Sequence, residues 1–216
     1  MSQKYLENYK SATAINAEFQ VGTYRETIAI EKRKSSKLGC VLYTEISGIK
    51  YRIYSGLYRG CLKSLIQKLP PNSRILIEHT IPAEDEKGIL WINIRENILS
   101  RTEAIETPRE LVFLTSTISG NDFQTNVYDL EDTLDALKEL RDIFNTNGVK
   151  LIKVCPYCVF NNYYSNTSLC LRDLETSEIR ETHERIQSRK DFFEYYEKIA
   201  WDIEEFHFCS AFLTNE

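Results

Sequence analysis

Between Ala17 and Ile94, short runs of alternating apolar and polar side chains recur between turn residues. A period of two belongs to a strand with one buried face, so Glu26-Thr27-Ile28-Ala29-Ile30-Glu31 and Ile49-Lys50-Tyr51-Arg52-Ile53-Tyr54 read as half-buried strands. Strands are predicted over 17–22, 26–33, 38–46, 49–55, 73–81 and 88–94, with Ser47-Gly48 as a tight turn. From Gly56 to Pro70 the apolar spacing changes to three and four. Leu57, Cys61, Leu62, Leu65, Ile66 and Leu69 then share one face of a short helix that Pro70-Pro71-Asn72 ends.

Several antiparallel strands, one helix and two further strands are compatible with a small, partly closed barrel. The oligonucleotide/oligosaccharide-binding (OB) fold places its helix in this manner, so an OB-like half is one expectation and a curved sheet with one packed helix is the other. The polar stretch from Arg95 to Thr107-Pro108 reads as a connector. Beyond it, Leu111-Val112-Phe113-Leu114 reads as a buried strand, and Ser119-Gly120-Asn121-Asp122 as a turn into a partner strand over 123–128. Asp129 is placed to cap a helix carrying Leu130, Leu134, Leu137, Leu140 and Phe144 on one face, stopped by Asn147-Gly148. A strand over 149–154 follows, and a last helix over 188–206 presents Phe192, Tyr195, Tyr196, Ile199, Trp201, Ile203 and Phe206. No internal repeat is evident. The expected architecture is α+β, with a β-rich barrel-like module over 1–108 and an α+β module over 109–216 that carries a cysteine cluster and the aromatic C-terminal helix.

The net charge of −5 hides an asymmetry between these halves: residues 1–108 hold 16 Lys+Arg against 12 Asp+Glu, or +4, and residues 109–216 hold 11 against 20, or −9. A charge of +4 spread over that length is far from the concentrated stripe of a dedicated nucleic-acid binder, and a solvated mixed surface is its plainest meaning. No apolar stretch approaches the roughly 18 to 20 residues that cross a bilayer, and the start of the chain has no apolar core of the signal-peptide kind. A cytoplasmic protein with no membrane partner is therefore expected. In that reducing setting six cysteines are thiols or metal ligands, not a disulfide scaffold. Cys40 and Cys61, each alone among apolar neighbours, read as core filler.

Cys155-Pro156-Tyr157-Cys158 directly follows the apolar run 149–154. Two cysteines at this spacing can close a small disulfide or hold one metal ion. The tetrad resembles the active-site tetrad of dithiol glutaredoxins, over about a dozen residues, and that resemblance implies Cys155 as attacking thiolate and Cys158 as resolving partner. The chain departs from the family downstream, where only 58 residues remain and the family's proline loop and paired glycines are not found. The competing reading is a structural zinc site, with Cys155, Cys158, Cys170 and Cys209 as ligands and His207 or His183 as an alternative fourth. Cys170 would be brought back by a hairpin turning at Ser165-Asn166. Thiols with neither role are the third reading.

Glu84-Asp85-Glu86-Lys87 contains an Asp-x-Lys triplet of the kind some nucleases use, but it sits in a predicted hairpin loop, where adjacent acids are usually solvated. Glycine-rich nucleotide loops are missing, and no signature gathers a nucleophile, a base and an orienting carboxylate. His79, on an apolar strand, reads as a satisfied core residue. For nucleic acid, the candidates are Lys32, Arg33, Lys34 and Lys37 with Tyr51 and Arg52, among interleaved Tyr43, Tyr54, Tyr58, Lys50 and Arg59. Cations for phosphates and rings for bases are the parts of a single-strand platform, although β propensity alone also selects tyrosines on strands.

With no catalytic constellation complete, the expected function is a non-enzymatic interaction or adaptor protein. Its C-terminal module would be organised by the cysteine cluster with zinc, and its partner would be another protein. A thiol-disulfide oxidoreductase using Cys155 and Cys158, and a single-stranded nucleic-acid-binding module on the basic half, are the alternatives.

Overall fold

The computed structural model describes residues 13–34, 40–55, 58–101 and 109–151, together with three short strands over 161–164, 167–170 and 201–203. Its body is a ten-stranded antiparallel sheet with helices over one face. The strands are β1 (Thr13–Val21), β2 (Tyr24–Lys34), β3 (Cys40–Ile46), β4 (Ile49–Ser55), β5 (Arg74–Asp85), β6 (Gly88–Arg101), β7 (Arg109–Ile118), β8 (Asn121–Gln124), β9 (Tyr128–Asp129) and β10 (Lys150–Leu151). Helix α1 (Tyr58–Ile66) joins β4 to β5, and α2 (Thr133–Thr146) lies between β9 and β10. The hydrogen-bonded order is β4-β3-β2-β1-β5-β6-β7-β8, with β9 added to β7 and β10 to β5.

This order contains a repeat that the sequence does not announce. Four meandering strands and a helix occur twice, and the first strand of each set, β1 or β5, pairs antiparallel with the other. The joint is narrow: Ala17–Gln20 pair with Ile77–Arg74 over four positions, whereas β5 and β6 pair over twelve. A faint sequence echo marks corresponding hairpins. Ile46-Ser47-Gly48 turns β3 into β4 and Ile118-Ser119-Gly120 turns β7 into β8. In both, serine and glycine take positive φ (52° and 76°, then 51° and 82°), the left-handed pair that a two-residue hairpin needs.

β4 and β8 end the order, so the sheet is open. Strand pairing crosses Pro108, because β6 and β7 pair over eight positions from Ile94↔Ser116 to Arg101↔Arg109. The polar stretch after Ile94, expected to be a connector, is strand as far as Arg101. Glu96 and Asn97 are tolerated there because groups from other elements meet them: Arg59 and His79 bind Glu96, and Arg74 binds Asn97. The second helix also starts later than expected. Leu130–Asp132 form a 3-10 turn, and Asp132 precedes α2 without a side-chain capping bond. Its end is as expected, with Asn147 at the C-cap and Gly148 at φ 73°.

Two apolar cores lie side by side on the helix-covered face. The first packs Cys61, Leu62, Leu65 and Ile66 of α1 on Phe19, Ile30, Leu42, Ile75, Ile77, Ile98 and their neighbours. The second packs Leu137, Leu140 and Phe144 of α2 on Ile81, Ile92, Ile94, Leu114 and Ile118. Cys40 and Cys61 form no disulfide among the described residues and are buried in the first core, as expected of them. A separate sheet pairs β11 (Asn161–Tyr164) with β12 (Thr167–Cys170), and β12 with β13 (Trp201–Ile203). The β11–β12 hairpin is the one expected to turn at Ser165-Asn166. Residues 201–203, placed by sequence near the end of a helix, form a strand; the rest of that helix lies outside the described residues.

Candidate functional site

Cross-strand register decides which of the predicted nucleic-acid residues come together. Successive side chains of a strand alternate between faces, so Tyr51 and Arg52 cannot serve one surface. Tyr51 sits opposite Thr44 on the helix-covered side and packs partly against the first core. Lys32 shares that side, opposite the buried Leu42, with its ammonium 5.0 Å from the centre of the Tyr58 ring. Arg33 and Arg52 point the other way. Lys34 ends β2, and Lys37 lies outside the described residues.

On the open face Arg33 and Arg52 are joined by two tyrosines that project from that same face. Tyr43 lies directly across from Arg52, and Tyr54 is two residues along β4. The Arg33 guanidinium carbon is 4.8 Å from the centre of the Tyr43 ring, and that of Arg52 is 5.5 Å from Tyr43 and 4.8 Å from Tyr54. The result is a ladder, Arg33–Tyr43–Arg52–Tyr54, in which each cation lies within the roughly 6 Å over which a ring's quadrupole attracts it. Tyr54 is 56% exposed. Arg33 is also tied to Glu31, donating from Nε to Oε1 at 2.7 Å. Arg52 makes no ion pair among the described residues. Buried Tyr58 and Arg59 stand apart from this face.

The most deeply buried charges form a second constellation at the boundary of the two cores. On β5, His79 falls between Ile77 of the first core and Ile81 of the second; on β6, Glu96 falls between Ile98 and Ile94. Arg59 of α1 donates to Glu96 Oε1, and His79 Nε2 is 3.1 Å from Oε2. Their side chains are 8%, 1% and 12% exposed for Arg59, Glu96 and His79. Burial alone pushes the Glu96 carboxyl up, but the Arg59 charge, joined by the His79 bond, outweighs it and holds the carboxyl below its usual range. Both carboxylate oxygens are engaged by side chains of the fold, which makes this a structural clamp. His79 is thus bonded within the fold, in line with its reading from sequence.

The Glu84–Lys87 acids form the β5–β6 turn, where Asp85 Oδ1 accepts from the Lys87 backbone N–H at 2.8 Å. Among the described residues no three His, Cys, Asp or Glu side chains gather as a metal site. Cys155, Cys158, Cys209, His207 and His183 lie outside the described residues, while Cys170 ends β12 opposite Asn161 and Trp201. Comparison with protein-family models, curated proteins and solved structures finds no match for this chain.

Proposed function

We propose that the protein is a non-enzymatic binding protein and that its ligand is a single-stranded nucleic acid laid on the open face of β2, β3 and β4. The observation that carries this reading is the Arg33–Tyr43–Arg52–Tyr54 ladder, in which Arg33, Arg52 and Tyr54 are exposed and Tyr43 is half-buried. Tyrosine faces stack with bases of any sequence, and guanidinium groups meet phosphate oxygens. Stacking each arginine on a ring fixes its position before the ligand arrives, which lowers the entropy lost on binding.

Fluorescence anisotropy with a labelled oligothymidine of about twelve nucleotides tests it. With Arg33, Lys50 and Arg52 as phosphate contacts, log Kobs should fall with log[salt] at a slope near −2, about 0.7 per contact for a single strand. Tyr54→Ala should cost about 1–3 kcal/mol of binding free energy. Absence of binding at low salt, or equal affinity in wild type, Tyr54→Ala and Arg52→Ala, would overturn the reading.

A protein partner is the second reading, favoured by Ile89 and Trp91, which stand 70% and 60% exposed at alternate positions of β6. If Trp91 serves such a partner, Trp91→Ala leaves oligonucleotide affinity unchanged. An α+β fold for the whole chain, zinc at the cysteine cluster and a cytoplasmic setting remain parts of this proposal that rest on sequence alone. Metal content and free-thiol count on protein purified without chelator test the cluster.

A further inference from the structure

The β5–β6 hairpin outruns the sheet on one side. β5 and β6 pair down to Asp85↔Gly88, whereas β7 joins β6 only from Ile94↔Ser116 onward. The other edge of the hairpin is taken, because β10 pairs with β5 at Glu84 and Ala83. In an antiparallel sheet alternate residues of a strand turn both N–H and C=O to the same side. Asn93 O accepts from Ser116 Oγ at 2.8 Å, so the odd-numbered residues of β6 are those that face β7, Ile89 among them. Ile89 therefore offers its backbone groups at an edge that β7 does not reach.

The side chains of this edge suit a contact. Gly88-Ile89-Leu90-Trp91-Ile92-Asn93-Ile94 carries no charge, and Ile89 and Trp91, on the open face, are 70% and 60% exposed. An uncharged edge of β-branched and aromatic residues is one that takes another strand. Symmetry says which strand. Antiparallel pairing of two identical edges is a self-complementary two-fold contact, and it closes, since each copy spends the same edge. With Ile89 on the axis, Ile89 of each copy exchanges N–H···O bonds with Ile89 of the other, and each Trp91 ring lies diagonal to the other copy's isoleucine, within reach of an aromatic side chain. No like charges meet over the run. A foreign strand could use the same backbone groups, but the second copy is the strand whose matching apolar residues the sequence itself supplies.

We propose that this edge of β6 joins a second copy of the chain in an antiparallel, two-fold dimer centred on Ile89. The proposal rests on the reading of Ile89 and Trp91 as a protein-contact surface and names the partner. The paired run is short and falls below the roughly 1,200–2,000 Å² of stable interfaces, so the dimer is reversible.

Sedimentation velocity of the full chain over a wide concentration range tests it, with hydrogen exchange of the β6 backbone at both ends of that range. Wild type should pass from monomer to dimer, and the Ile89 amide should gain protection as it does so. Ile89→Lys and Trp91→Lys, both at exposed positions, should each raise the dimer dissociation constant about tenfold or more. Ile49→Lys, at an apolar residue 58% exposed on another strand, should leave it unchanged. The proposal fails if wild type stays monomeric, or if Ile89→Lys and Trp91→Lys dimerise as wild type does. It fails too if the dimer forms without added protection of Ile89, which would be contact between faces and not between edges. Oligonucleotide affinity of Trp91→Ala is a separate readout. A drop there overturns the protein-contact reading, whereas a monomeric wild type whose affinity Trp91→Ala leaves unchanged overturns the dimer alone.

Discussion

Replacing Glu96 by alanine removes the carboxylate from a guanidinium buried between two apolar cores, and such a cut through a buried ion pair costs about 3–5 kcal/mol. A urea midpoint far below wild type checks it. The same residue sets an acid limb. Its folded-state pKa lies below the unfolded value near 4.3, so its contribution is complete above that value and is lost as the pH falls through the folded pKa. Stability of Glu96→Gln, measured over about pH 2.5 to 6, should fall less steeply on acidification than that of wild type. None of this was legible in the chain, where Glu96 lies in what reads as a polar connector; a buried acid on a strand is recognisable only once Arg59 and His79 reach it from elsewhere. Arg33 and Arg52 were legible as ligand-facing candidates. Tyr51 and Lys32 were not separable from them until register assigned the faces.

Strand alternation and turn residues located β1 to β6 and both hairpin serine-glycine pairs, because period and positive-φ preference are local properties. Element ends were less legible. β6 and the start of α2 depend on partners distant in sequence, and the capping preference of Asp129 gave way to the pairing of β9 with β7. Gly60 shows an element fixed by close approach. A Cβ there would collide with Ser55 Oγ and lie 3.1 Å from Ser55 Cβ on β4. Gly60→Ala gains about 1 kcal/mol of helix propensity but meets overpacking of about 1–3 kcal/mol. A net loss of stability is expected, partly recovered in the Ser55→Ala, Gly60→Ala double variant. At Gly120, φ of 82° makes alanine strained whatever the space, and Gly120→Ala should cost about 1 kcal/mol. Paired denaturant midpoints check both.

At the scale of the whole molecule, the doubled arrangement of four strands and a helix was invisible in sequence apart from the two Ile-Ser-Gly hairpins, since topology can persist where side chains diverge. Val112 and Leu130 belong to the first core, and β7 covers the free side of β6. A chain ending at Pro108 would uncover both. Expressed alone, residues 1–108 should be an associating, weakly cooperative species by sedimentation and thermal melting; a sharp monomeric transition would support two independent modules. The open sheet has one more consequence. Among the described residues β4 pairs only with β3, so its other side offers backbone groups to any passing strand, and Lys50 and Arg52 are the exposed charges that keep a second copy from adding there. The side chains proposed to hold a ligand thus also guard against aggregation. Neutralising both would promote fibre-like association, while Arg52→Glu would abolish binding and keep the chain dispersed.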